Sequence, residues 1–158
     1  MDQDAFRETY QDINERFCAF EKAILTRQCQ CSEAHTFCIA EREGVHCNSD
    51  TGQQQCLQLL EVLRSQARFA LRASSEDRKN LLPHGKAIRI QVGGLRGLYA
   101  ALNPGQPVPA RIEDVVELVN RSIKHFGSLD KLPFSSVMQQ ISAYQSRVRS
   151  RRNRRKKP

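Results

Sequence analysis

The residues with most chemistry to offer crowd between Cys29 and Cys56, which hold five of the six cysteines and two of the four histidines: Cys29, Cys31, His35, Cys38, His46, Cys47 and Cys56. Thiolate is the commonest ligand of structural zinc and of iron–sulfur clusters, and both take about four ligands. Cys29, Cys38, Cys47 and Cys56 follow one another at steps of nine, with Cys31 two residues after the first. Nine residues is about two and a half helical turns, and an odd step along a strand, so successive sulfurs on one regular element face opposite ways. For the sulfurs to meet, the chain must fold back between them. Gly44 and the run Asn48-Ser49-Asp50-Thr51-Gly52 supply the turn formers.

Such a meeting predicts a metal centre held by four of Cys29, Cys31, Cys38, Cys47 and Cys56. There is no C-x2-C knuckle, and the spacing matches no standard zinc module. With five thiols in reach, this places an iron–sulfur cluster ahead of a structural zinc. Two other readings stand beside it: reduced thiols buried as small hydrophobes, and a disulfide-stapled helical protein. His35 and His46 adjoin cysteines, as substitute ligands or as polar surface. Small helical proteins of the mitochondrial intermembrane space carry paired C-x9-C motifs, which this stretch loosely resembles. It departs from them in its C-x8-C spacing and in Gly44 and Gly52, which interrupt the helical hairpin that family needs.

The elements that must position this stretch read as mostly helical. Residues 4–28 carry Phe6, Tyr10, Ile13, Phe17, Phe20 and Ile24 at spacings of four and three, the stripe of one amphipathic helix. Cys18 lies one residue off that stripe and is expected to pack at its boundary, with a spare ligand reaching toward the cysteine-rich loop as the alternative. Residues 53–72 form a second helix with Cys56 in its first turn, where the helix dipole favours thiolate. After a connection over 73–85, Ile88, Ile90 and Val92 alternate with Arg89 and Gln91, predicting a short strand or hairpin near 87–92. A helix with a glycine-weakened middle is the alternative there. Gly93-Gly94-Leu95-Arg96-Gly97 outlines an anion-binding loop, but it lacks the dinucleotide fingerprint and the phosphate-loop Lys, so a turn or a close backbone contact is the expected use. Residues 111–126 are the clearest helix, with Glu113 and Asp114 in its first turn, Lys124 and His125 at its end and Gly127 as its cap. A last helix follows along Val137, Met138, Ile141, Tyr144 and Val148, running on into the tail.

The expected fold is thus mainly α, a small domain of about four to five helices over residues 1–146 with a cysteine-rich loop, followed by a basic flexible tail over 147–158. Its 158 residues suffice for one core, and no apolar run approaches the roughly 18 residues of a bilayer span. Met1-Asp2-Gln3-Asp4 is acidic and leads into an amphipathic pattern, unlike a secretory signal, so the expected compartment is the reducing cytoplasm. Of the 25 basic residues, eight lie in the tail (Arg147, Arg149, Arg151, Arg152, Arg154, Arg155, Lys156, Lys157), leaving 17 against 17 acidic in the body. The excess charge therefore belongs to the tail, as a contact for nucleic acid or another polyanion, or as a solubilising end. No nucleophile motif or carboxylate pair stands out, which argues against an independent enzyme. The reading is a metal-binding accessory or electron-transfer component with a protein partner. The alternative is a docking protein with a structural zinc and a basic tail.

Overall fold

The computed structural model describes residues 3–72 and 83–144. It is mainly helical: α1 (Gln3–Ile13), α2 (Glu21–Leu25), α3 (Asp50–Arg72), α4 (Pro83–Leu102), α5 (Val115–Phe126) and α6 (Phe134–Ala143), with a 3-10 turn at Leu129–Lys131. A two-stranded antiparallel hairpin, β1 (Ala34–Ile39) and β2 (Arg42–Cys47), lies between α2 and α3. Among the described residues, no helix is long and apolar enough to cross a membrane. The tail from Arg147 to Lys157 and most of the 73–85 connection lie outside the described residues.

The stretch expected as one helix over 4–28 breaks after Ile13. Its backbone leaves the helix to pair with β2, where Cys18 N donates to Val45 O at 3.0 Å and Cys47 N to Arg16 O at 2.8 Å. Asn14 makes the break, since its side chain competes for backbone partners. Asn14 Nδ2 donates to Val45 O at 3.0 Å and to the Tyr10 hydroxyl at 2.9 Å, and Asn14 Oδ1 lies 2.8 Å from His46 Nδ1. The Glu21 carboxylate completes this network by accepting from Tyr10 Oη and Val45 N. The apolar stripe is divided accordingly. Phe20 is fully buried, whereas Ile13 and Phe17 are 61% and 41% exposed.

Residues 87–92 form no strand: they lie within α4, the helix around which α2, α3, α5 and α6 pack. Ile90, Val92, Leu95 and Leu98 are buried, and so is Gln91. Gln91 faces inward because its Oε1 accepts from Ala23 N at 3.1 Å, satisfying a free donor in the first turns of the short α2. The period-two pattern thus arose from a polar residue with a buried task. Arg89 reaches the end of α6 instead, donating to the carbonyls of Ile141 and Ser142.

Two helix starts also differ from expectation. Glu113 and Asp114 precede α5, because Ile112 stays extended and pairs with the segment around Cys29: Gln30 N donates to Ile112 O at 2.8 Å, and Ile112 N to Gln28 O at 3.1 Å. The Asp114 carboxylate accepts from Ser32 N rather than capping α5. Gly127 ends α5 as expected, with φ of +91° and its N–H on Ile123 O. Helix α3 begins at Asp50, where Ser49 Oγ accepts from Gly52 N at 2.9 Å. Helix α6 ends at Ala143, with Tyr144 already extended.

Candidate metal centre

The hairpin and the broken N-terminal stretch bring four thiols to one small cavity, of about 20 Å³. Cys18 comes from the extended segment that pairs with β2, and Cys31 from the turn before β1. Cys47 ends β2, and Cys56 projects from the second turn of α3. The remaining wall is largely apolar, with Ala19, Phe20, Ala34, Val115 and Val116. Each of these four thiols is close enough to every other for their charges to interact.

Burial in that apolar wall pushes the Cys18 and Cys56 thiols up to about 12 and raises Cys31 as well. Acting against burial, the backbone N–H of Phe20 stabilises ionised Cys18, and those of Glu33 and Val116 stabilise ionised Cys31. Two of these donors sit two residues after their cysteine. Each belongs to a turn of the same build, closed by Glu21 N on Cys18 O at 3.3 Å and by Ala34 N on Cys31 O at 3.2 Å. An N–H near a sulfur favours its ionised form, which eases a ligand role for Cys18 and Cys31. Cys47 donates its own S–H to Ser49 O at 3.2 Å. Burial, and after it the nearness of the other thiols, disfavours the thiolate at Cys18, Cys31 and Cys56.

The sulfurs line the cavity without being drawn onto one point. Among the described residues, no three His, Cys, Asp or Glu side chains stand ready as they are to hold an ion. The donor set fits a soft metal. It offers four sulfurs, an apolar wall and backbone N–H groups to carry the negative charge.

Of the residues expected to ligate, Cys31, Cys47 and Cys56 are brought together and Cys29 and Cys38 are not. Cys29 is 1% exposed in the main core beside Ile112, away from the cavity, and Cys38 is exposed on β1 opposite Glu43. The nine-residue series thus does not describe the cluster. Cys18 packs against the main core, as expected, and is also the fourth thiol lining the cavity. His46 is held by Asn14 and His35 is exposed, so neither lines the cavity. All six cysteines are free thiols in this structure. Cys56 is the seventh residue of α3, beyond the first turn, so the dipole assists it less than expected. Compared with known proteins, the chain matches no family model, no characterised protein and no solved structure.

Proposed function

We propose that this chain is a metal-binding protein in which Cys18, Cys31, Cys47 and Cys56 hold one zinc-like divalent ion. The observation that carries the proposal is the convergence of four thiols from four separate segments on one apolar cavity. The ion's role is to fasten the broken N-terminal segment, the hairpin and α3 together. Bound to four thiolates, it has no open position and serves structure rather than catalysis. An all-thiolate set also suits an iron–sulfur cluster. The size of the cavity favours the single ion, since about 20 Å³ is little more than the space one water needs.

Elemental analysis and a visible spectrum on anaerobically purified protein decide between them. A colourless protein with stoichiometric zinc is the expected result, and a brown protein with iron and acid-labile sulfide transfers the reading to a cluster. Neither metal in a folded protein with all four thiols reactive would sink the proposal. The basic residues of 147–158 are read as a docking element for nucleic acid or another polyanion, because the body to which they are attached is formally neutral. Truncation after Ser146 should then abolish salt-sensitive retention on heparin without loss of metal. Equal retention of both forms would remove that role.

A further inference from the structure

Away from the metal centre, a second cavity of about 230 Å³ opens between α4, α6 and the loop leading to Ile112, lined by Gln28, Arg96, Val108, Pro109, Gln140 and Tyr144 with Ala110. Among the described residues, its single charged lining residue is Arg96, and no carboxylate lines it. Arg96 Nη2 donates to Ala110 O at 3.0 Å and to Gln28 Oε1 at 3.4 Å, and its guanidinium carbon lies 5.4 Å from the centre of the Tyr144 ring. These contacts fix the group in place without neutralising it. Nε and Nη1 donate to none of the described residues, and Arg96 has no ion pair among them. Arg111, next in sequence to the lining Ala110, donates its Nε to Arg27 O at 3.1 Å, tying the 108–112 segment to the segment that carries Gln28. Burial pushes the nearby Cys29 thiol up to about 12, and the Arg96 charge acts against it, so the field of that cation reaches into the core.

A held, unpaired guanidinium in a concave site is an anion receptor. We propose that this pocket binds a small organic carboxylate, its oxygens on the Arg96 guanidinium and its apolar body against Val108, Pro109 and the Tyr144 ring. Gln140 and Gln28 supply further polar contacts that fix orientation, the mixture expected of a small-molecule site. An inorganic oxyanion fits less well, because it would leave the Val108–Pro109 wall and the aromatic ring in contact with water. The site shares no residue with the four-thiol cavity, so it stands or falls independently of the metal reading.

The test is an amide NMR titration of the full chain with benzoate, with neutral benzamide and with inorganic phosphate. Benzoate should shift the amides of Gln28, Arg96, Gln140 and Tyr144 saturably, and benzamide should bind about tenfold or more weakly, the factor expected when a charge-assisted bond is lost. Arg96→Gln should remove the difference between the two probes. Gln140→Glu keeps Arg96 in place and adds a carboxylate to the pocket, so it should weaken benzoate by a similar factor while leaving the spectrum elsewhere unchanged. Equal affinity for benzoate and benzamide, saturation by phosphate alone, or no saturable shift at these residues would overturn the proposal.

Discussion

Cys56→Ser is expected to lose stoichiometric metal and to unfold far more readily than the parent protein. Site formation and folding share one free energy, of about 10–16 kcal/mol for structural zinc in peptides that have no other core. This chain has a core of its own, so removing one thiolate should cost less, on the order of several kcal/mol. Cys18→Ser should behave in the same way, which is the more demanding test because Cys18 lies outside the cysteine-rich stretch. Cys38→Ser should bind metal normally, since that thiol is exposed on the hairpin. Cys29→Ser should also bind, yet lose about 1–3 kcal/mol for placing a hydroxyl where the side chain is 1% exposed. Metal analysis and urea denaturation of the four variants separate ligands from bystanders. Full occupancy in a Cys18→Ser, Cys56→Ser double variant would refute the assignment.

The same set of thiols gives the metal-free protein a particular response to alkali. Cys18 and Cys56 sit near 12 in the folded chain against 9.0 for an ordinary thiol, because burial disfavours the thiolate. A raised folded value means the stabilisation is complete below about 9 and is lost as pH climbs towards 12, since the unfolded chain gives up those protons first. Each such thiol contributes a slope of about 1.4 kcal/mol per pH unit in that window. Loading with metal abolishes this sensitivity for the ligands, which are then already deprotonated, and leaves it for Cys29. Denaturation at two alkaline pH values, with and without zinc, should show the difference. An identical alkaline loss in both forms would mean that zinc does not reach these sulfurs.

How far the sequence could carry these readings depended on where each residue finds its partner. Helices α3, α5 and α6 bury faces built from their own periodicity, and Leu59, Leu63, Val115, Val119, Val137 and Ile141 could be placed from spacing alone. The hairpin was hidden because Thr36, His35 and Cys38 face solvent with no alternation to announce them, and its inner face is closed by residues far away in the chain. Position 44 shows this. A Cβ there would lie 2.6 Å from the Phe37 ring and 2.8 Å from that of Tyr10, a packing requirement that links three separated segments. Cys18 was ranked as a packed thiol ahead of a ligand for the same kind of reason. Its stripe continued through Phe17 and Phe20 as if helical, while the bonds that straighten it come from Val45 and Cys47. Three of the four thiols that line the cavity, Cys31, Cys47 and Cys56, do come from the cysteine stretch. Their nine-residue rhythm was no guide to which of them meet.

The glycines of α4 lead to the second large effect. Gly93 and Gly97 lie one turn apart on the face that meets α6, and there the two backbones come into direct contact. A Cβ on Gly93 would stand 2.6 Å from Ile141 Cα, and one on Gly97 2.7 Å from Val137 Cα. Neither neighbour can swing aside, because each is helix backbone. Gly93→Ala and Gly97→Ala must therefore push the helices apart and open gaps around the buried Val137 and Ile141. Overpacking of this kind costs about 1–3 kcal/mol per site, more than the roughly 1 kcal/mol that alanine gains over glycine in a helix. Net of that gain, the double variant should lose up to about 4 kcal/mol, a large share of the stability of a small domain. Gly94 is the internal control, because its nearest neighbour is the movable end of the Leu63 side chain, at 2.6 Å. Gly94→Ala should stay within about 1 kcal/mol of the parent, as the propensity gain offsets the displacement of Leu63. Urea denaturation of the four variants at equal metal loading reads the effect, and metal content should not change, since the four-thiol cavity borders neither α4 nor α6. If the Gly93→Ala, Gly97→Ala protein proved as stable as the parent or more so, the close crossing of α4 and α6 would be wrong.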